Sequence, residues 1–252
     1  VIVAVPLVGG AVVTLVTGAN AASSLTVDAT NLYWLDASGA THTLAVSDGG
    51  APVPVPGHGS PSDIVVNDTA LYWLNGAGWV MQQPLDGGAA STMAGPFFPE
   101  TVSMAADSEN VYFGGQAQGL VVEMPLPSAG SYYIQGNRVA PTSIAVDSTS
   151  TIYWTDQFAQ QDTVQKELFP QEPVSTLATN QTNPMSITLA PDAVYWTNVV
   201  PGSSAVMKLV VDAGAPTPII ANLSSPTSME IAGDSVYVLD TGAGELVKIT
   251  PR

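Results

Sequence analysis

The chain has 252 residues, of which 46% are hydrophobic and only 10% charged, with 23 Gly and 20 Pro. That excludes intrinsic disorder, which joins low hydrophobicity to high charge, and fits many short strands joined by many turns. Five basic residues against 21 acidic ones leave a formal charge of −16, which repels nucleic-acid phosphates and anionic membranes and favours cationic ligands or metal ions. Cysteine is absent, so disulfides, thiolate metal sites and cysteine catalysis are excluded. An Ala-, Gly-, Ser- and Thr-rich, Lys-poor make-up points to an exported protein, whether secreted, periplasmic or on the cell surface.

In chain order, Val1 to Ala22 comes first. It is apolar and contains Ala19-Asn20-Ala21, like the core and cleavage site of a signal peptide, but it lacks a basic leading segment. Val5-Pro6-Leu7-Val8-Gly9-Gly10 instead parallels Gln83-Pro84-Leu85-Asp86-Gly87-Gly88, so strands are expected here and the chain reads as a mature or trimmed form. Pro6 and Gly9-Gly10 also argue against a membrane span.

From residue 24 onward a unit repeats. Six short runs carry Tyr33-Trp34, Tyr72-Trp73, Tyr112-Phe113, Tyr153-Trp154, Tyr195-Trp196 and Tyr237-Val238, the tyrosines 39, 40, 41, 42 and 42 residues apart. A period of about 40–45 residues is that of a four-stranded propeller blade. In each unit strand A alternates and ends on a polar turn: Leu25–Asp28, Ile64–Asn67, Met104–Asp107, Ile144–Asp147, Ile187–Ala190 and Met229–Ala232. Strand B carries the aromatic pair, and period-2 alternation sends Tyr and Trp to opposite faces, one towards each neighbouring blade. Strand C ends on turns such as Asp48-Gly49-Gly50, and strand D reads Val53–Val55, Ser91–Met93, Tyr132–Ile134, Val174–Leu177 or Thr217–Ile220.

These counts predict one all-β domain over residues 1–252, a six-bladed β-propeller of four-stranded antiparallel blades. The repeats fall near 24–57, 62–95, 102–136, 142–179, 185–222, and 227–250 completed by 1–18. A last D strand is expected from Ala11–Thr17, so that N-terminal and C-terminal strands pair in one blade and hide the ring's edges. Val1–Pro6 and Glu245–Thr250 both read as strand C, leaving one unmatched strand available for self-association.

The runs Ile152-Tyr153-Trp154-Thr155-Asp156 and Val194-Tyr195-Trp196-Thr197-Asn198, with Pro141 to Asp147 before the first and Val206-Met207-Lys208 after the second, resemble the YWTD propeller repeat. The likeness covers the chain and is greatest to bacterial, myxobacterium-like exported propellers; it implies a six-bladed ring. Phe113-Gly114-Gly115 and Val238-Leu239-Asp240 depart from the pattern.

By analogy with other propellers, function is sought on the face made by the D-to-A and B-to-C loops around the channel. Those loops carry His58, Trp79, Phe97, Phe98, Glu100, Asn137, Arg138, Gln157 and Phe158. Aromatic faces beside amides suit a protein or glycan ligand, through stacking and directional hydrogen bonds. No catalytic residue is assigned: His42 and His58 are the only histidines, fewer than streptogramin-lyase-like propellers use, and no Gly-x-Ser-x-Gly elbow occurs. The expectation is a non-catalytic binding or assembly module without a cofactor. The alternative, implied by likeness to calcium-dependent lactonase-like propellers, is a hydrolase or lyase whose Ca²⁺ is held in the channel by Asp63, Glu100, Asn137 and Asn183.

Overall fold

The computed structural model describes residues 2–4, 13–16, 23–36, 38–45, 51–55, 59, 61–97, 101–115, 119–127, 133–135, 141–157, 162–168, 173–211, 214–232, 235–240 and 245–249. Their regular structure is β-strand. β1 (Ile2–Ala4) and β2 (Val13–Val16) form a two-stranded antiparallel sheet. β3 (Ser23–Val27), β4 (Asn31–Leu35), β5 (Thr41–Ala45) and β6 (Val53–Val55) pair in chain order as the first four-stranded blade. The second comprises β7 (Ile64–Val66), β8 (Ala70–Leu74), β9 (Val80–Pro84) and β10 (Ser91–Ala94). The third comprises β11 (Thr101–Ala106), β12 (Asn110–Gly115), β13 (Leu120–Pro125) and β14 (Tyr133–Gln135). The fourth comprises β15 (Pro141–Val146), β16 (Thr151–Asp156), β17 (Thr163–Leu168) and β18 (Ser175–Ala178). The fifth comprises β19 (Pro184–Ala190), β20 (Ala193–Asn198), β21 (Ser204–Val210) and β22 (Thr217–Leu223). Last, β23 (Pro226–Ala232), β24 (Ser235–Asp240) and β25 (Glu245–Ile249) form a three-stranded sheet.

The fold is therefore a β-propeller, with five four-stranded blades rather than the six expected. The shortfall lies where the chain ends meet. Glu245–Ile249 takes the strand C place by pairing with β24, as one of the two candidates was expected to. The strand expected from Ala11–Thr17 does not pair there. It pairs instead with β1, its near neighbour in sequence, and β1 is the strand that lies against β25.

The aromatic repeat lies between blades. Tyr33 shares a buried cluster with Trp73, Tyr72 with Phe113, Tyr112 with Trp154, Tyr153 with Trp196, and Tyr195 with Val238. Each tyrosine thus packs on the Trp position of the following blade, as alternation requires. Trp73 and Trp196 have no exposed surface. At the departure Phe113-Gly114-Gly115, a Cβ on Gly114 would come within 2.7 Å of Ile144 Cδ1, the tip of a side chain in the next blade, which would have to shift.

The acidic turns after strand A are local devices. Asp28 Oδ1 accepts from Thr30 N and Asn31 N at 2.7 Å each, and its Oδ2 accepts from Tyr33 Oη at 2.9 Å. Asp107 repeats the arrangement with Glu109 N, Asn110 N and Tyr112 Oη, and Asp147 with Thr149 N, Thr151 N and Tyr153 Oη. These carboxylates cap the turn and anchor the seam tyrosine. Burial, with the neighbouring carboxylate, pushes the Tyr33 phenol up to about 12.

Candidate functional site in the central channel

The first strands of the five blades and of the three-stranded sheet, β3, β7, β11, β15, β19 and β23, each lie beside the next, and β23 lies beside β3. Along each, the aliphatic residue turns outward into the seam: Ile64, Met104, Ile144, Ile187 and Met229 are all buried. Period 2 then sends the flanking residues inward. Two levels of side chain result. The upper level holds Ser24, Asp63, Ser103, Ser143, Ser186 and Ser228; the lower holds Thr26, Val65, Ala105, Ala145, Thr188 and Glu230. They surround a channel with a mouth of about 390 Å³ and a shaft of about 240 Å³.

Bulges shape the mouth. The strand A register shifts between Ser23 and Leu25, Thr101 and Ser103, Pro141 and Ser143, Pro184 and Ile187, and Pro226 and Ser228. An extra residue in one strand re-aims side chains, and Ser24, Thr142, Met185 and Thr227 at these shifts all line the mouth. The hydroxyls also tie blades together. Ser24 Oγ accepts from Ile64 N at 3.0 Å, Ser103 Oγ from Ile144 N at 3.0 Å, and Ser143 Oγ from Ile187 N at 3.2 Å.

Asp63 takes the same place in the second blade. Its Oδ2 accepts from Met104 N at 2.6 Å, and its Oδ1 accepts from Ile64 N at 3.0 Å and from the Ser24 hydroxyl. Burial pushes the carboxyl up to about 6 despite these three donors. Glu230 lies one level down. Burial first, then the Asp63 charge, pushes it up to about 8, against a hydrogen bond from Thr188. Both residues keep some accessible surface, so the surrounding protein withdraws them from bulk water without sealing them from the channel.

Of the residues singled out from sequence, Asp63 and Gln157 line the mouth. Gln157 Nε2 donates to Asn183 Oδ1 at 2.6 Å and to Pro184 O at 3.1 Å, so Asn183 stands at the rim. Asn183 is itself held, its N–H donating to Asp162 Oδ2 at 2.7 Å and its Nδ2 to Val199 O at 3.1 Å. Trp79 and Phe97 are brought together at the second blade, where Phe97 N donates to Gly78 O at 2.8 Å. Gly95 turns that loop at φ 127°, and a Cβ there would meet Trp79 Cα at 3.0 Å. Trp79 is 37% exposed, whereas Phe97 packs on Phe113 with ring centroids 5.0 Å apart and fills a seam. His58, Phe98, Glu100, Asn137, Arg138 and Phe158 lie outside the described residues.

Sequence reading did not single out the hydroxyl levels or Glu230. The signal was there: the residue before each strand A aliphatic is Ser five times and Asp once, and two residues on only the last repeat carries an acid. Chemically the channel offers hydroxyl donors and acceptors, two carboxyls and no basic group among its described lining residues. Among the described residues no group of three or more His, Cys, Asp or Glu is placed to hold a metal ion.

No family model matches the chain, and no curated protein matches it. Solved structures match in fold. A chain of a nidogen/laminin complex is 13% identical, with TM-score 0.73 over 83% of this chain and 85% of that one. A catalytically inactive virginiamycin B lyase from Staphylococcus aureus, solved with quinupristin, is 11% identical, with TM-score 0.69 over 92% and 82%. A computationally designed protein, Ika8, is 12% identical, with TM-score 0.62 over 90% and 70%. At such identities the likeness is one of fold alone.

Proposed function

We propose that the chain is an exported, non-catalytic binding module that recognises a protein or glycan through the loop face around the channel. The observation that carries this reading is the mouth. Hydroxyls from several blades and the Gln157 amide converge there at the base of the loops, a lining suited to directional hydrogen bonding. Exposed Trp79 adds an aromatic face on the B-to-C side. The ring is taken as six-bladed and YWTD-like, its last blade built from β23–β25 with β1 and β2 continuing it. The adjacency of β25 to β1 and of β23 to β3 supports that arrangement.

Saccharide and peptide arrays probed with the intact protein, and with Trp79→Ala and Gln157→Ala, test the reading. Binding that falls about tenfold or more in these variants is expected, since stacked aromatics and mouth amides carry such interfaces. Unchanged binding in both would remove the loop face from consideration. The second reading, a Ca²⁺-dependent hydrolase or lyase, is favoured by one observation, the placement of Asp63 in the channel. Ca²⁺ titration by calorimetry separates the two: a site lost in Asp63→Ser favours the hydrolase or lyase, and the absence of any Ca²⁺ heat favours the binding module.

A further inference from the structure

The shaft below the mouth is two-sided. Three consecutive blades contribute Val65, Ala105 and Ala145 to its lower level, and the other three contribute Thr188, Glu230 and Thr26. One wall is therefore aliphatic and the opposite wall carries hydroxyls and a carboxyl, with the Asp63 carboxyl one level above. A ligand matched to this shaft needs methylenes on one side and a hydrogen-bonding cation at its tip. An anion would meet two carboxyls and no basic side chain among the described lining. A sugar would leave hydroxyls unpaired against Val65, Ala105 and Ala145. A bare divalent ion wants six to eight oxygens, and the aliphatic wall supplies none from its side chains.

We infer that the shaft binds a primary alkylammonium group, its methylenes along Val65, Ala105 and Ala145 and its ammonium against the carboxyls of Glu230 and Asp63 and the hydroxyl of Thr188. An ammonium has three donors and no acceptor, matching an acceptor-rich tip. The formal charge of −16 raises the local concentration of such cations around the molecule. This site lies beneath the loop face and does not depend on what that face recognises.

Binding has a proton signature. Asp63 and Glu230 are the titratable groups among the described lining residues, and the groups facing Glu230 are Asp63 and the neutral Thr188. With its carboxyl pushed up to about 8, Glu230 holds its proton at neutral pH. An ammonium beside it favours the ionised form, so uptake of the amine expels that proton to buffer.

The test is calorimetry at neutral pH with cadaverine, in phosphate and in HEPES, neither of which carries a primary amine and whose ionisation enthalpies differ. The expected result is saturable binding with release of about one proton per amine. Pentanediol, the uncharged counterpart, should give no binding to the native protein. Glu230→Thr and Asp63→Ser install residues that other blades carry at the same levels. Glu230→Thr should weaken cadaverine about tenfold or more and abolish proton release; Asp63→Ser should weaken it without abolishing release. Trp79→Ala should leave amine binding unchanged whatever it does to loop-face ligands. A lysine peptide and its norleucine counterpart distinguish the sources: peptide binding well above cadaverine assigns the shaft to a lysine side chain, and the reverse assigns it to a free amine. Three results would overturn the inference: no cadaverine binding at millimolar concentration, equal binding of pentanediol, or full proton release in Glu230→Thr.

Discussion

The seams and the channel are built from the same six repeats, yet they use repetition differently. At the seams the repeated residues do the packing: a tyrosine of one blade meets the Trp position of the next five times in succession. In the channel the repeated residues, serine above and small or hydroxylated residues below, are background, and two positions break it with carboxyls. Where the repeat holds it makes architecture, and where it lapses it makes a site.

The comparison is broken most severely at a seam. Trp196→Ala removes a fully buried ring between the fourth and fifth blades and should cost about 3–5 kcal/mol, read from the urea midpoint. Next is Gly114→Val, whose Cβ would stand 2.7 Å from Ile144 Cδ1; a loss of about 1–3 kcal/mol is expected. Combining it with Ile144→Val should recover part of that loss if the contact is the cause. A channel substitution should act in the opposite direction. The folded state holds the Glu230 proton more tightly than the unfolded chain, so its contribution to stability is full below the ordinary carboxyl value of 4.5 and is lost progressively as pH rises from there through about 8. Glu230→Thr should therefore match the native protein at acid pH and gain on it towards pH 8, by on the order of 1–2 kcal/mol, as thermal melts across that range would show.

What could be read from sequence follows the same division. The tyrosines, the polar turns and the strands of the five complete blades were legible because six copies of each signal reinforce one another. Asp28, Asp107 and Asp147 cap the polar turns expected after strand A. The chain ends were less legible, since Val1–Pro6 and Glu245–Thr250 both read as strand C and local pairing of β1 with β2 competes with pairing to the last sheet. Glu230 was obscured because a single acid in an alternating strand reads as a solvent-facing residue. Only the knowledge that the inner face of strand A looks into a channel gives it weight. The bulges that bring Thr142 and Thr227 to the mouth share the run Pro-Thr-Ser, at Pro141-Thr142-Ser143 and Pro226-Thr227-Ser228, a mark whose meaning only the paired strands reveal.

One feature of the channel wall reaches beyond binding. The upper hydroxyls and Asp63 accept hydrogen bonds from backbone amides of the following blade, at Ile64, Met104, Ile144 and Ile187. These bonds act as a hoop around the bore and fix the height of each blade against the next. A blade sliding along the axis by a single residue would present an aliphatic side chain to its neighbour's amide. Because serine and aspartate both fasten the hoop, the charge lining the bore can change with little movement of its walls. The scaffold can thus be re-tuned from within, one blade at a time.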